Sequence, residues 1–261
     1  MTNLKILKLS KDKPKNPILI EGLPGIGNVG KITVDFLISE LKAKKMYEMF
    51  SYTFPHSVFV NEKNLVDLPK IEIYYKKMPK NDLLFLSGDI QPVDEVSSYE
   101  FCEKILDILQ SYKTKEIITL GGIGLLEMPK KPRIFCTGNN KEIIKKYKKD
   151  TELNDKIYGV VGPIIGVSGL LIGLAEKRKI SAIALLAETL GHPLYLGVKG
   201  AREQLKVLNK KLNLKLNLDK LDKEIKDVEE ELIRKTTDIS AVSKQLALKN
   251  AGKRKDTSYI G

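Results

Sequence analysis

The chain is predicted to fold as an α/β protein, a three-layer α/β/α sandwich, on three observations. Short apolar runs rich in β-branched residues alternate with segments of helical period, the run DLLFLSGD is apolar on both faces, and a glycine turn joins the first run to the first helical segment. A strand apolar on both faces belongs inside a parallel sheet covered by helices on both sides. In chain order, ILIE gives the first strand at 18–21, and the segment 31–41 after the glycine turn gives the first helix. Strands at 46–53 and 71–75 come next, followed by the doubly apolar strand at 83–87. Asp94 and Glu95 mark the start of a helix at 96–112, because carboxylates suit a helix N-terminus. A strand at 117–120, a helix at 141–149, a strand at 157–161, a helix at 169–179, a strand at 182–187 and a helix at 199–211 complete the alternation.

After residue 213 the pattern changes. Leu221, Ile225, Val228 and Leu232 recur at intervals of four and three within a segment otherwise full of Lys, Asp and Glu, which is a narrow seam of the coiled-coil type. Lys235, Thr236, Thr237 and Asp238 interrupt it, and NAGKRKDTSYIG has no periodicity and too little apolar surface to offset its ordering entropy. The expected division is a basic N-terminal arm at 1–15, an α/β domain at 16–213, an amphipathic helix at 214–235 and a flexible tail at 236–261.

With 261 residues, 42% of them hydrophobic, the chain can bury a sizeable core. Its net charge of +12 favours anionic partners without choosing among nucleic acid, acidic protein and membrane headgroups. Cys102 and Cys136 are the only cysteines, too few for a disulfide framework, so a reducing cytoplasm is expected. No apolar run reaches the ~18 residues of a membrane span. The two histidines, His56 and His192, form no metal-ligand pattern with the cysteines, and neither a metal nor a cofactor is expected. Lysines and arginines are spread without aromatic interleaving, so a nucleic-acid partner is not expected.

Three stretches carry partial motifs. Gly25, Gly27 and Gly30 form a GxGxxG between strand and helix, but the ribose-binding acid that should follow the second strand has only Glu48 as a candidate. The same stretch approaches a phosphate loop through Gly25, Gly30 and Lys31, with Ile32 where a metal-binding hydroxyl is required. Its structural reading is a tight turn that lets the helix pack close to the sheet. Its functional reading is an anion or small-ligand loop at a helix start, and the alternative function it supports is a nucleotide- or ligand-binding enzyme. Gly166, Val167, Ser168 and Gly169 approach a nucleophile elbow until Leu170 replaces the last glycine. No acid to orient His192 is identifiable, and Ser168 reads as the N-cap of the next helix. No catalytic residue is assigned.

EGLPGIGNVGK, LLFLSGDIQP, LGGIGLLEMPKKPRIF and GPIIGVSGLLIGLAEKRKISAIALLAETLGHP, in this order, resemble the archaeal branch of the proteasome-assembly-chaperone family over about residues 16–235. The resemblance implies a three-layer fold like that of nucleoside phosphorylases and peptide hydrolases, without an established catalytic set. It implies a non-catalytic chaperone or docking factor that self-associates, typically as a tetramer or pentamer, and binds the α-subunits of the proteasome core particle. The family docks through a C-terminal hydrophobic-Tyr-X tripeptide. Here Tyr259 holds the hydrophobic position, Ile260 stands where the pattern has tyrosine, and Gly261 ends the chain, so the match is inexact, and the expected docking element is an aromatic, an aliphatic and a terminal carboxylate. The seam of Leu221, Ile225, Val228 and Leu232 is expected to pack against the body or a neighbouring subunit.

Overall fold

Every residue of Leu83–Gly88 is buried, and the strand lies inside the sheet as its two apolar faces require. The structure, a computed structural model, describes residues 4–61, 63–159, 162–193, 195–219 and 222–223. Its elements are β1 (Leu4–Lys8), β2 (Ile18–Glu21), α1 (Val29–Glu40), β3 (Lys44–Ser51), β4 (Phe59–Val60), β5 (Val66–Asp67), β6 (Ile71–Lys76), β7 (Leu83–Gly88), α2 (Glu95–Ser111), β8 (Glu116–Leu125), β9 (Ile134–Gly138), α3 (Lys141–Lys148), α4 (Val167–Lys177), β10 (Ser181–Leu190) and α5 (Val198–Leu212). The chain divides into two compact units, Met1–Leu216 and Asn217–Gly261.

Among the described residues of the first unit, eight strands form one mixed sheet in the order β1-β3-β6-β7-β2-β8-β10-β9. The pairs β7–β2, β2–β8 and β8–β10 are parallel, and the outer pairs are antiparallel. Alternating side chains face opposite layers. Leu19, Leu84, Leu86, Ile117 and Ala184 pack with Phe101, Ile105 and Leu109 of α2 and Leu171 and Ala175 of α4. The alternate residues Ile20, Phe85, Ile118 and Leu185 are buried on the opposite face, where α1 and α5 pack against each other and on the sheet. The helix α3 joins that layer, since the Lys211 ammonium of α5 donates to the carbonyls of Lys146 and Lys149. The arrangement is the predicted α/β/α sandwich. Asp94 caps α2, accepting from the Ser97 N–H at 2.9 Å. The helix α5 ends where Asn213 turns left-handed at φ 52°, the conformation that commonly stops a helix.

Two predicted elements need correction. Leu4–Lys8, within the segment predicted as a basic arm, is the edge strand β1, antiparallel to β3. The described residues of the predicted strand at 157–161 form no strand: Tyr158 and Gly159 are a turn, with Gly159 at φ 75°. The edge beside β10 is taken instead by β9, whose outer side is met by a bridge from Phe135 to Asn154. The helix-seam residues Leu221, Ile225, Val228 and Leu232 and the tail residues Tyr259, Ile260 and Gly261 lie outside the described residues. The second unit contributes one described helical bond, from the Asp222 N–H to the Leu218 carbonyl.

One polar cluster anchors α3 to the sheet. Glu116, buried at the start of β8, accepts from the Tyr147 hydroxyl at 2.7 Å and pairs with Lys146. Tyr147 is itself fully buried, and burial, with the Glu116 charge, drives its hydroxyl far above the ordinary range of tyrosine. Tyr147→Phe leaves the buried carboxylate one donor short and is expected to cost about 1–3 kcal/mol in urea unfolding. An unchanged midpoint would mean that Lys146 alone satisfies Glu116.

Candidate functional site

The parity of β2 decides where its last residue points. Leu19 faces the α2/α4 layer, so Glu21, two residues on, faces it too and is fully buried. Its Oε1 accepts from the Leu23 N–H at 3.0 Å and its Oε2 from the Ser168 hydroxyl at 2.9 Å. Burial pushes the Glu21 carboxyl up to about 7, against the opposing effect of those two donors. Burial likewise raises the thiol of Cys102 on α2, and the Glu21 charge adds to it. Ser168 is therefore not the N-cap of α4. Gly166, at φ 85°, takes that position without a side-chain bond, and the Ser168 hydroxyl turns to the carboxyl beneath it.

The glycine loop after β2 is held by packing. A Cβ on Gly30 would overlap the Leu120 carbonyl of β8, and one on Gly22 would come 2.5 Å from the Gly30 carbonyl carbon. Gly27 sits at φ 60° with Thr189 against it, and its carbonyl accepts from the Gly197 N–H at 2.7 Å. Lys31 turns away to pair with Asp35 at 2.6 Å and lines a small cavity of about 240 Å³ with Glu72, Tyr74, Ser87 and Asp89. Glu48, the candidate ribose acid, lies on β3, separated from β2 by β6 and β7, and its carboxylate is 3.3 Å from Lys45. The structure therefore does not bring together the parts of either nucleotide motif.

A larger cavity, about 950 Å³, opens over the C-terminal ends of the parallel strands. Gly25 and Gly30 line it, Gly27 and Lys31 do not. Its position follows from topology. β2 and β7 are parallel neighbours, yet α1 after β2 joins the α5 layer while α2 after β7 joins the α4 layer. The two connections diverge and leave a crevice between them, the place where open α/β sheets bind ligands. Gln91 ties its walls together: the side-chain amide donates to the Pro24 carbonyl at 2.7 Å, and its oxygen accepts from the Val167 N–H at 3.2 Å. Glu21 and Gln91 were not singled out from sequence. The available signal for Glu21 was an acid closing an otherwise apolar strand. Gln91 gave none, because its two partners are distant in the chain.

The profile of the PAC2 family matches residues 19–235. An uncharacterized protein of Methanocaldococcus jannaschii is 30% identical over 248 residues, covering 95% of this chain and 93% of its own length. The crystal structure of Pyrococcus furiosus PbaB, an archaeal proteasome activator, has a TM-score of 0.81 at 36% identity, covering 91% of this chain and 100% of that one. Pyrococcus furiosus PbaA, an archaeal homolog of proteasome-assembly chaperone, has a TM-score of 0.71 at 26% identity, covering 92% and 99%.

Proposed function

Because the chain belongs to the PAC2 family, we propose that it is a non-catalytic proteasome assembly chaperone or docking factor that self-associates and binds core-particle α-subunits. The observation that carries this reading is the likeness to the archaeal proteasome activator PbaB across the whole of that chain. Self-association is supported by exposed apolar surface within the body. Phe59, Val60 and Val66 on the β4–β5 hairpin are all exposed, Val60 by 68%, and clustered exposed apolar residues mark interaction surfaces. The stripe of Leu221, Ile225, Val228 and Leu232 is the second proposed self-contact.

Tyr259, Ile260 and Gly261 are proposed as the docking element. Residues 236–261 reach at most ~90 Å when fully extended, enough to carry that element from an assembled body to a pocket on a partner. One ring and one aliphatic group bind weakly after the cost of ordering them. Several tails on one oligomer raise the effective concentration and strengthen binding ~10²–10⁴-fold where geometry permits. Lys253, Arg254 and Lys255 upstream speed encounter with an acidic rim in a salt-dependent way.

Sedimentation of the full chain with recombinant α-subunit rings tests both parts. The chain is expected to run as an oligomer and to co-sediment with the rings, and removal of residues 259–261 should abolish co-sedimentation while leaving the oligomer intact. A monomeric chain would sink self-association. Equal binding by the shortened chain would move the docking surface onto the α/β body.

A further inference from the structure

The cavity over β2 and β7 is larger than packing demands, and one glycine shows it. Gly25 lies at φ −162° and ψ −158°, extended backbone open to any residue. A Cβ built on it meets nothing within 4 Å. Neither strain nor crowding requires glycine there, in contrast to Gly22, Gly27 and Gly30. What its missing side chain provides is room in the cavity that Gly25 lines. At about 950 Å³ the space is at the upper end of ordinary small-molecule sites.

The lining sets the chemistry. Leu23, Ile26, Val93, Ile123, Ile164 and Leu170 make it largely apolar. Although the chain carries a net charge of +12, among the described residues no lysine or arginine lines the cavity, and the one charged lining side chain is that of Glu95. A phosphate or carboxylate placed there gains no countercharge and comes close to Glu95. The helix starts offset this little: Asp94 closes α2 and the Gln91 oxygen takes the first N–H of α4, leaving the uncapped start of α1 as the feature that favours an anion. Ser168 lines the cavity, and when Glu21 is ionised the Ser168 hydrogen is given to that carboxylate, so the hydroxyl's lone pairs accept from whatever occupies the space.

We propose that this cavity binds a small, predominantly apolar molecule carrying an amine or hydroxyl donor, which hydrogen-bonds to Ser168 backed by Glu21, and that it excludes nucleotides and other phosphates. Occupancy of the cavity does not depend on proteasome binding.

Calorimetric titration of the full chain at pH 8, where Glu21 is ionised, with four probes tests it: 4-phenylbutylamine, 4-phenylbutanol, 4-phenylbutyrate and AMP. The amine and the alcohol should bind with one site per chain, the carboxylate at least tenfold more weakly, and AMP not at all. Gly25→Phe fills the space and should weaken amine binding more than tenfold. Ser168→Ala leaves the space open, removes the acceptor, and should weaken it similarly. Circular dichroism and melting establish that each variant is folded, and Ser168→Ala supplies the answer if Gly25→Phe is not. The proposal is overturned if neither donor probe binds, if 4-phenylbutyrate or AMP binds as tightly as the amine, or if the folded variants bind like the parent.

Discussion

Gly30→Ala is expected to unfold much of the protein, although alanine is ordinarily worth about 1 kcal/mol more than glycine within a helix. The added methyl would overlap the Leu120 carbonyl oxygen and come 2.9 Å from its carbon, and these are backbone atoms of β8, in the middle of the sheet. They cannot move without shifting the ladders to β2 and β10. Relief would require α1 to lift off the sheet, uncovering the layer that holds Val29, Val34 and Leu37, all fully buried. Overpacking of a close-packed core costs ~1–3 kcal/mol and sometimes more, a large share of the ~5–15 kcal/mol that holds a domain folded. Gly22→Ala should behave the same way, because its methyl would meet the Gly30 carbonyl and the Val34 side chain. Gly25→Ala in the same loop should melt within ~0.5 kcal/mol of the parent. Urea unfolding and soluble yield check the series, and a Gly30→Ala protein with the parent's midpoint would mean that α1 does not sit this close to β8.

Glu21→Gln is expected to stabilise the protein at pH 8 and to have little effect at pH 4.5. The folded carboxyl titrates at about 7, against an ordinary value of 4.5. Between those values the folded state holds a proton that the unfolded chain has released, so stability falls as pH rises through that window. The group's favourable contribution is complete below 4.5 and lost above 7. A gap of about 2.5 pH units corresponds to on the order of 3 kcal/mol. Glutamine is neutral throughout and retains an oxygen for the Leu23 N–H. Glu72 and Glu188 follow the opposite rule: despite burial, Lys45 and Arg133 hold them below the usual carboxylate range, so they weaken the fold in acid in both proteins. The difference between the two stability curves isolates Glu21. A flat difference from pH 4.5 to 8 would mean that its carboxyl titrates as an exposed one does.

The layers of the fold were legible because they rest on local pattern. The apolar run of β7 and the helical period of α2 survive whatever their neighbours are. The misread strands depend on tertiary context. β8, predicted over 117–120, continues through Gly121, Gly122 and Gly124 to Leu125, although glycines discourage strands. A Cβ on Gly122 would overlap the Ile26 carbonyl and one on Gly124 would press on Gly191, so those glycines serve approaches made by other segments. IYGVV has strand composition, yet Gly159 turns and Tyr158 is fully exposed, while the less obvious IFCTG pairs with β10. At the site, the glycine loop was found but its membership was not. Gly25 and Lys31, six positions apart in one motif, face different cavities. The Ser168–Glu21 pair joins residues 147 positions apart, a distance no local spacing rule spans.

The strand order also has a consequence for biosynthesis. β2 is among the first elements to leave the ribosome, but both its partners, β7 and β8, are encoded well downstream. At ~5–20 residues per second, several seconds separate Glu21 from Leu83. During that interval the nascent chain carries a strand apolar but for its last residue, with two unpaired edges, while the antiparallel neighbours β3 and β6 can already associate. A transcript truncated before Leu83 would therefore yield a product with no ladder for β2, prone to aggregate or be degraded, and a synonymous-codon pause just after β6 should lower soluble yield more than the same pause placed after β8.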